Sequence, residues 1–573
     1  MKKPDTDLSP VEHIKSRSDF LRGTLAASLA DSATGALAED DTQLSKFHGF
    51  YQQDDRDLRE DRRRRLLEPD YQFMIRARVP GGVCTPRQWL QLDEIARSWA
   101  NGTLRLTTRQ AFQLHGVLKR NLKNSIRAIN DSLLDTIAAC GDVNRNVMSS
   151  TVPERSVLHR EVNDLARAVS DQLLPRTTAY HEIWLSDGGQ RQRVAGSAAA
   201  ETEPLYGPVY LPRKFKIAFA VPPRNDVDVF AHDLGFIAIA DGERLAGFNV
   251  TVGGGMGVTQ ADPATYPRLA DVIGFCTPEQ LLAVSEAVLT LQRDYGDRTN
   301  RQHARLKYTI DDRGLDWFRE EFQRRLGHSL AAAKPWEFSD NGDRYGWQQG
   351  DDGLWHLGLF IENGRIKDQP GAEHLSGLRE IAKILEGELR LTPNQNLVLA
   401  NVPSTQRADI DALVRAHGLD GFRQATPLRL HGMACVALPT CGLAMAESER
   451  YLPELIGRIE TLMAGHGLAR EAITIRMTGC PNGCARPYLA EIGLVGKGPG
   501  LYDFFLGAAF DGARLNRKYR ESVRENDVLE LLDELFGAFV SGREAGEHFG
   551  DYLLRAGLLE DSAAPLPGQG APS

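Results

Sequence analysis

The hydrophobic period of the chain changes several times, and each change marks an element. From Tyr71, F-M-I-R-A-R-V alternates with period two, which predicts a strand with Phe73, Ile75, Ala77 and Val79 on one face and Arg76 and Arg78 on the other. Pro80-Gly81-Gly82 ends it. Thr85-Pro86-x-Gln88 then combines an N-cap, a proline suited to the first helical position and a capping-box glutamine, and Trp89, Leu92, Ala96 and Trp99 give the following helix an apolar stripe. L-P-R-K-F-K-I-A-F-A-V (Leu211 to Val221) reads as another strand, with Phe215, Ile217, Phe219 and Val221 buried and Lys214 and Lys216 on the opposite face. Residues 1–68 are highly polar and read as an arm, in which the mixed charge run Asp54 to Arg65 predicts a solvated helix face.

The pattern also repeats. L-R-L-T-T-R-Q-A-F-Q-L-H-G-V (Leu104 to Val117) recurs as L-R-L-T-P-N-Q-N-L-V-L-A-N-V (Leu389 to Val402), 285 residues further on. H-L-G-L-F-I-E-N-G-R-I before the second copy holds an Asn363-Gly364 dipeptide that predicts a hairpin turn. A helix capped at Ser376 follows, with Leu378, Ile381, Ala382 and Leu385 as its stripe. The expected fold is α+β (mixed α/β), multidomain, with an internal pseudo-two-fold repeat and mixed sheets flanked by helices around a central cofactor site. The expected divisions are the arm at 1–68, a pseudo-symmetric pair of half-domains at 69–145 and 345–425, a first lobe at 146–344, and a second at 426–573. The last ends in a Pro/Gly/Ser-rich tail expected to be disordered.

At 573 residues, 42% hydrophobic and 25% charged, the chain fits several globular units. A net charge of −9 gives no general attraction to nucleic acid, so any anion site is a local concentration of cations. No run approaches the roughly 18 apolar residues of a membrane helix, and Met1 to Arg17 lack the apolar core of a secretory signal, which together point to the cytoplasm.

Four of the seven cysteines fall close together: Cys435 and Cys441, then, after thirty-eight residues, Cys480 and Cys484. Cys84, Cys140 and Cys276 stand singly. Zinc sites favour tighter C-x2-4-C pairs, whereas an iron-sulfur cubane accepts C-x5-C with C-x3-C. Pro439, Gly442, Gly479, Pro481 and Gly483 suit loops whose backbone approaches a cluster. The alternatives are a structural zinc site in a non-catalytic protein and four unrelated buried thiols.

Lys214 and Lys216 repel one another, and the local sequence offers no carboxylate, so an anion set against them makes the pair physically sensible. Arg76 and Arg145 add guanidinium groups, and Arg105 and Arg109 add two more. The first copy of the repeat carries Arg109, Gln113 and His115 where the second is read as having Asn394, Leu397 and Leu399, which gives the anionic ligand to the first half and the metal cluster to the second. His115 alone fits a structural histidine equally. G-F-N-V-T-V-G-G-G-M-G (Gly247 to Gly257) allows backbone to approach a bulky ligand but is not a G-x-G-x-x-G fingerprint. With no nicotinamide or flavin site evident, electrons are expected from another protein.

T-G-C-P-N-G-C-A-R-P-Y-L-A-E-I-G-L (Thr478 to Leu494), with the upstream A-C-x5-C, resembles the sirohaem and iron-sulfur signature of the sulfite and nitrite reductases. The resemblance runs from L-S-P-V-E-H-I-K-S-R-S-D-F-L-R-G through H-G-F-Y-Q-Q-D-D-R-D to R-E-A-G-E-H-F-G-D, nearly the whole chain, and is nearest to the haemoprotein (beta) subunits of NADPH-dependent assimilatory sulfite reductases. It implies six-electron reduction of sulfite to sulfide at a sirohaem coupled to a [4Fe-4S] cluster, and ferredoxin-like half-domains. Cys435, Cys441, Cys480 and Cys484 would ligate the cluster, with Cys484 shared as the proximal sirohaem ligand. Arg76, Arg145, Lys214 and Lys216 would bind sulfite. Arg105, Arg109, Gln113 and His115 would meet the macrocycle's carboxylates, with Arg305 or Lys307 as further candidates. A flavoprotein (alpha) subunit carrying FAD and FMN would oxidise NADPH and deliver electrons. Lys216 favours sulfite over nitrite, since nitrite reductases of this family tend to carry Asn there; a ferredoxin-dependent nitrite reductase is the nearest alternative. Ala485 stands where the family commonly has glycine.

Overall fold

The alternating segment at Tyr71 forms a strand, Tyr71–Ala77, in the computed structural model, which describes residues 7–151, 156–177, 183–187, 190–195 and 203–559. Phe73, Ile75 and Ala77 are buried, as the period requires. Thr85 caps the helix Pro86–Trp99 through both bonds of a capping box, and Trp89, Leu92 and Ala96 are sealed beneath it. The tail expected to be disordered lies outside the described residues.

Two five-stranded antiparallel sheets carry the repeat. In the first the order is Phe50–Asp54, Tyr71–Ala77, Phe112–Val117, Leu104–Leu106, Arg365–Ile366; in the second it is Gly346–Gln349, Trp355–Leu359, Leu397–Val402, Glu388–Leu391, Val83–Cys84. Each sheet thus ends in a two-residue strand donated by the other half, Ile366 opposite Leu104 and Cys84 opposite Leu389. This exchange corrects the hairpin expected at Asn363-Gly364. Both residues have positive φ (52° and 73°), as a tight turn needs, yet the strands on either side enter different sheets. Gly81 and Gly82 (63° and 75°) make the equivalent turn. A side chain at Gly82 would be driven into the Leu391 carbonyl, and one at Gly364 into that of Leu106, so the crossovers admit only glycine there.

Three other expectations change. Phe50–Asp54, assigned to the arm, is the edge strand of the first sheet, although the helix Arg59–Arg64 that follows has no buried residue, as its charge run predicts. The helix expected to be capped at Ser376 begins three residues earlier, at His374 with Glu373 as its cap, and Asp368 across the turn accepts the Ser376 amide at 2.9 Å and its hydroxyl at 2.6 Å. At the offset of 285, Gln113 and His115 stand opposite Val398 and Ala400; Leu397 and Leu399 correspond instead to the core residues Phe112 and Leu114.

The lobes repeat as well. Met148–Ser149, Ile217–Ala220 and Leu234–Asp241 run parallel, followed by antiparallel Arg244–Val252 and Asp271–Cys276. Gly432–Ala434, Ile475–Thr478, Ile492–Gly498, Leu501–Leu506 and Arg517–Val523 reproduce that order and direction. Ile217 pairs with Leu234 as Ile475 pairs with Ile492, each 258 residues further on. The strand expected over Leu211 to Val221 is confined to Ile217–Ala220, with only an isolated bridge from Phe215 to Asn144 before it. Lys214 and Lys216 therefore lie on the approach to the strand, at the strand ends where the two lobes face one another. Among the described residues no helix is long and apolar enough to cross a membrane.

Candidate functional site

The two cysteine loops meet. The Gly479 amide donates to Cys435 Sγ at 3.3 Å, and the Met445 and Ala446 amides both donate to the Gly479 carbonyl, at 2.7 and 3.1 Å. Burial pushes the thiols of Cys435, Cys441 and Cys480 up, that of Cys480 to about 12, and in each case the next cause is a like charge at Cys484. All four sulfurs therefore share one neighbourhood. Among the described residues, however, no three His, Cys, Asp or Glu side chains close on a point as around a single ion. Four thiols on two adjoining loops fit a multi-atom iron-sulfur cluster, with its cysteines on separate irons. Cys484, the one exposed member, is near the cations as well as the other thiols: Arg76 and Lys216 both register its charge.

Those cations form the opposite wall. Lys214, Lys216 and Arg213 all register the charges of Arg145 and Arg305, and neither they nor Arg145 have a carboxylate bonded to their side-chain nitrogens among the described residues. Burial drives Lys214 and Lys216 well below the ordinary lysine range; Lys216 and Arg213 depress Lys214 further, and Arg109 and Arg305 depress Lys216. A cluster that costs this much to charge is stabilised when anions enter it, and a macrocycle with many carboxylates together with a small oxyanion supplies them. Arg109 fits the same demand: its Nη atoms reach the Ile217 carbonyl at 2.9 Å and Met148 Sδ at 3.2 Å, while its buried Nε has no partner. The site thus suits the tetrapyrrole as well as the cluster.

Other residues expected at the cofactor also make contacts within the chain. Arg105 gives Nε to Glu449 at 2.8 Å and Nη2 to the Ala434 carbonyl at 2.9 Å, which ties the half-domain to the cysteine lobe. Lys307 spends its ammonium on the carbonyls of Gly255, Gly257 and Tyr266, and Arg305 forks onto Asp233 at 3.0 and 2.8 Å. These two hold the glycine loop in place. That loop abuts the second cysteine loop, where the Val258 amide donates to the Pro481 carbonyl at 3.0 Å. Gln113 Oε1 and His115 Nε2 lie 3.4 Å apart, and burial, then Arg365 and Arg105, holds the imidazole well below its usual range. His115 is a neutral ring whose buried Nδ1 has no partner, free to meet a ligand group.

Several contributors escape sequence reasoning. Arg213 directly precedes the K-F-K segment, whose paired lysines give the stronger signal. Arg56, within the arm's charge run, donates to the Cys441 and Ala444 carbonyls at 3.2 and 2.5 Å and so braces the first cysteine loop. Thr108 donates to the Cys484 carbonyl at 2.9 Å. Nothing in a local pattern separates these from ordinary surface residues, because their roles depend on partners far away in the chain.

Comparison with known proteins matches this arrangement. The nitrite/sulfite reductase ferredoxin-like half domain corresponds to residues 65–132 and 347–417, and the nitrite and sulphite reductase 4Fe-4S domain to 166–330. The latter stretch is the lobe without the clustered cysteines, which its five-stranded twin carries. The sulfite reductase [NADPH] hemoprotein beta-component of Myxococcus xanthus is 59% identical over 98% of this chain and 99% of its own length. That of Bacillus subtilis is 56% identical over 98% and 97%. The solved NirA protein of Mycobacterium tuberculosis superposes with a TM-score of 0.77 at 26% identity, covering 96% of each chain. With the repeat, the paired lobes and relatives of this identity over nearly its full length, the chain belongs to the nitrite and sulfite reductase family.

Proposed function

We propose that this chain is the haemoprotein component of an assimilatory sulfite reductase, receiving electrons from an NADPH-oxidising flavoprotein subunit in the cytoplasm. The observation that carries the reading is the wall of cations without carboxylate partners facing the exposed Cys484 thiol. Cys435, Cys441, Cys480 and Cys484 would hold a [4Fe-4S] cluster, with Cys484 also serving the sirohaem. When bound, the two cofactors would relay the flavoprotein's electrons to the substrate.

The chain's own residues bind and orient. Arg76, Arg145, Lys214 and Lys216 receive sulfite by charge, and Arg109 and Arg213 meet the macrocycle's carboxylates. Depressed by burial and by neighbouring cations, Lys214 and Lys216 give up protons more readily than an isolated lysine. They hold protons at Nζ beside the substrate oxygens, where reduction to sulfide releases three waters and needs protons as fast as electrons arrive. Fixed cations also offset the charge that each electron adds.

The reading is tested on purified chain carrying its cofactors. Expected are Soret and visible bands, iron and acid-labile sulfide, and kcat/KM for sulfite above that for nitrite with reduced flavoprotein as donor. A colourless zinc protein would remove the enzymatic reading, and a strong preference for nitrite with reduced ferredoxin would replace it with nitrite reduction.

A further inference from the structure

Two of the cations assigned to sulfite are aimed by a single three-residue loop. Arg76 Nη1 donates to the Ala139 carbonyl at 3.4 Å and to Cys140 Sγ at 3.0 Å. Arg145 donates from Nε and Nη2 to the Gly141 carbonyl, at 3.2 and 3.0 Å. The loop is itself held. Gly141 adopts φ 89° against the Phe47 ring, which a Cβ would strike at 2.8 Å, and the Cys140 side chain is fully buried beside Tyr51. Several other buried or half-buried arginines are fixed by carboxylates, Arg78 by Asp135, Arg105 by Glu449, Arg305 by Asp233 and Arg486 by Asp228, although Arg56 and Arg109, both near the site, also bond to neutral acceptors. Here the acceptors are two carbonyls and a thiol.

The difference is chemical. A carboxylate fixes a guanidinium and cancels its charge together; a neutral acceptor fixes direction and leaves the full positive charge for a ligand. Sulfur is also a weak acceptor, so it surrenders little of the guanidinium's donor strength. We infer that Cys140, with the carbonyls of Ala139 and Gly141, is a positioning residue that orients Arg76 toward the bound oxyanion without neutralising it. Cys140 itself touches no substrate. The inference rests on the assignment of Arg76 to sulfite made above.

The test compares Cys140→Ser, Cys140→Ala and Cys140→Asp in the cofactor-loaded protein, with Arg76→Ala as a control, by spectral titration of the oxidised enzyme with sulfite and by steady-state kinetics. Serine keeps a neutral acceptor of similar size, and its sulfite Kd is expected within about twofold of the parent. Alanine frees the guanidinium, and Kd and KM rise on the order of tenfold with kcat changed much less. Aspartate keeps Arg76 in place but cancels its charge, so sulfite binding weakens more than with alanine while sirohaem content is retained. If C140D and C140S bind sulfite equally well, the inference is overturned whether or not the alanine variant folds. If C140A matches the parent while Arg76→Ala loses sulfite affinity, the inference fails and the functional reading stands. If Arg76→Ala leaves sulfite affinity untouched, the assignment of Arg76 to sulfite fails, and the inference with it.

Discussion

Arg486 and Asp228 occupy equivalent positions in the two lobes, share the left-handed conformation (φ 52° and 49°), and are ion-paired with each other, Nε to Oδ2 at 2.5 Å. Residues 258 apart in sequence thus meet where the repeat folds back on itself. Arg476 joins them at 2.6 Å, and its side chain is sealed from solvent, as is that of Asp228. Asp228 remains ionised because, although burial pushes its carboxyl up, Arg476 and Arg486 outweigh burial and hold it low.

The pair predicts a large effect far from any ligand. Asp228→Ala leaves two guanidiniums in a dry interior, and removing one partner of a buried pair costs about 3–5 kcal/mol. Thermal or denaturant unfolding of the purified chain should show that loss. A variant within about 0.5 kcal/mol of the parent would mean that water replaces the carboxylate there.

Lys216→Asn removes one ammonium from the cation wall while keeping a hydrogen-bonding side chain. Sulfite, the more highly charged substrate, should lose more than nitrite: roughly tenfold or more in kcat/KM against a few-fold, as expected when one charge-assisted hydrogen bond is replaced by a neutral one. Parallel assays of both substrates check this, and equal losses would remove Lys216 from the specificity role.

Asp226 corresponds by the same 258-residue offset to Cys484, and Ser150 by the 285-residue offset to Cys435. In the lobe without a cluster, those two are joined directly, Ser150 Oγ donating to Asp226 Oδ1 at 2.7 Å. Burial raises the Asp226 carboxyl to about 7. A carboxyl raised on folding binds its proton more tightly in the native state than in the unfolded one. Its contribution is therefore intact below the unfolded value of 3.8 and is lost as pH rises toward 7. At about 1.4 kcal/mol per pH unit the loss reaches about 4 kcal/mol. Asp226→Asn should flatten stability between pH 4 and 7, as read from Tm against pH; an unchanged slope would assign the dependence to other groups.

Much of the fold was legible because its signals are local. The capping box at Thr85, the alternation at Tyr71 and the recurrence of Leu104–Val117 needed only neighbours in sequence. The strand exchange was not legible: Asn363-Gly364 and Gly81-Gly82 have the chemistry of tight turns, and only pairing with a distant strand shows that each is a crossover. The site divides in the same way. Four cysteines and a K-F-K pair stand out in any reading, whereas Arg105 is indistinguishable in sequence from a cofactor contact until Glu449, more than three hundred residues away, is seen to hold it.

Glu449 is where that difference can be measured. Its carboxylate receives Arg105 Nε at 2.8 Å and Arg365 Nε at 2.6 Å, and its amide donates to the Cys435 carbonyl at 3.1 Å. One residue so joins the first cysteine loop to two strands of the first sheet, one of them the strand exchanged from the other half. Burial favours the neutral acid, but Arg365 and Arg105 together hold the carboxyl below its ordinary range. A carboxyl lowered on folding contributes stability that is present at neutral pH and is lost as pH falls through its folded value, below 4.5. Glu449→Gln keeps the shape and leaves two guanidiniums uncompensated, so stability at pH 7 should fall by about 3 kcal/mol, with less further loss in acid than the parent shows. Because Cys435 hangs from the same residue, the variant should also lose iron and acid-labile sulfide faster under chelator challenge. Arg105→Lys should lower stability with sirohaem content unchanged. If Arg105→Lys instead empties the sirohaem site while unfolding is unaffected, Arg105 belongs to the cofactor after all, and the tie to Glu449 is secondary.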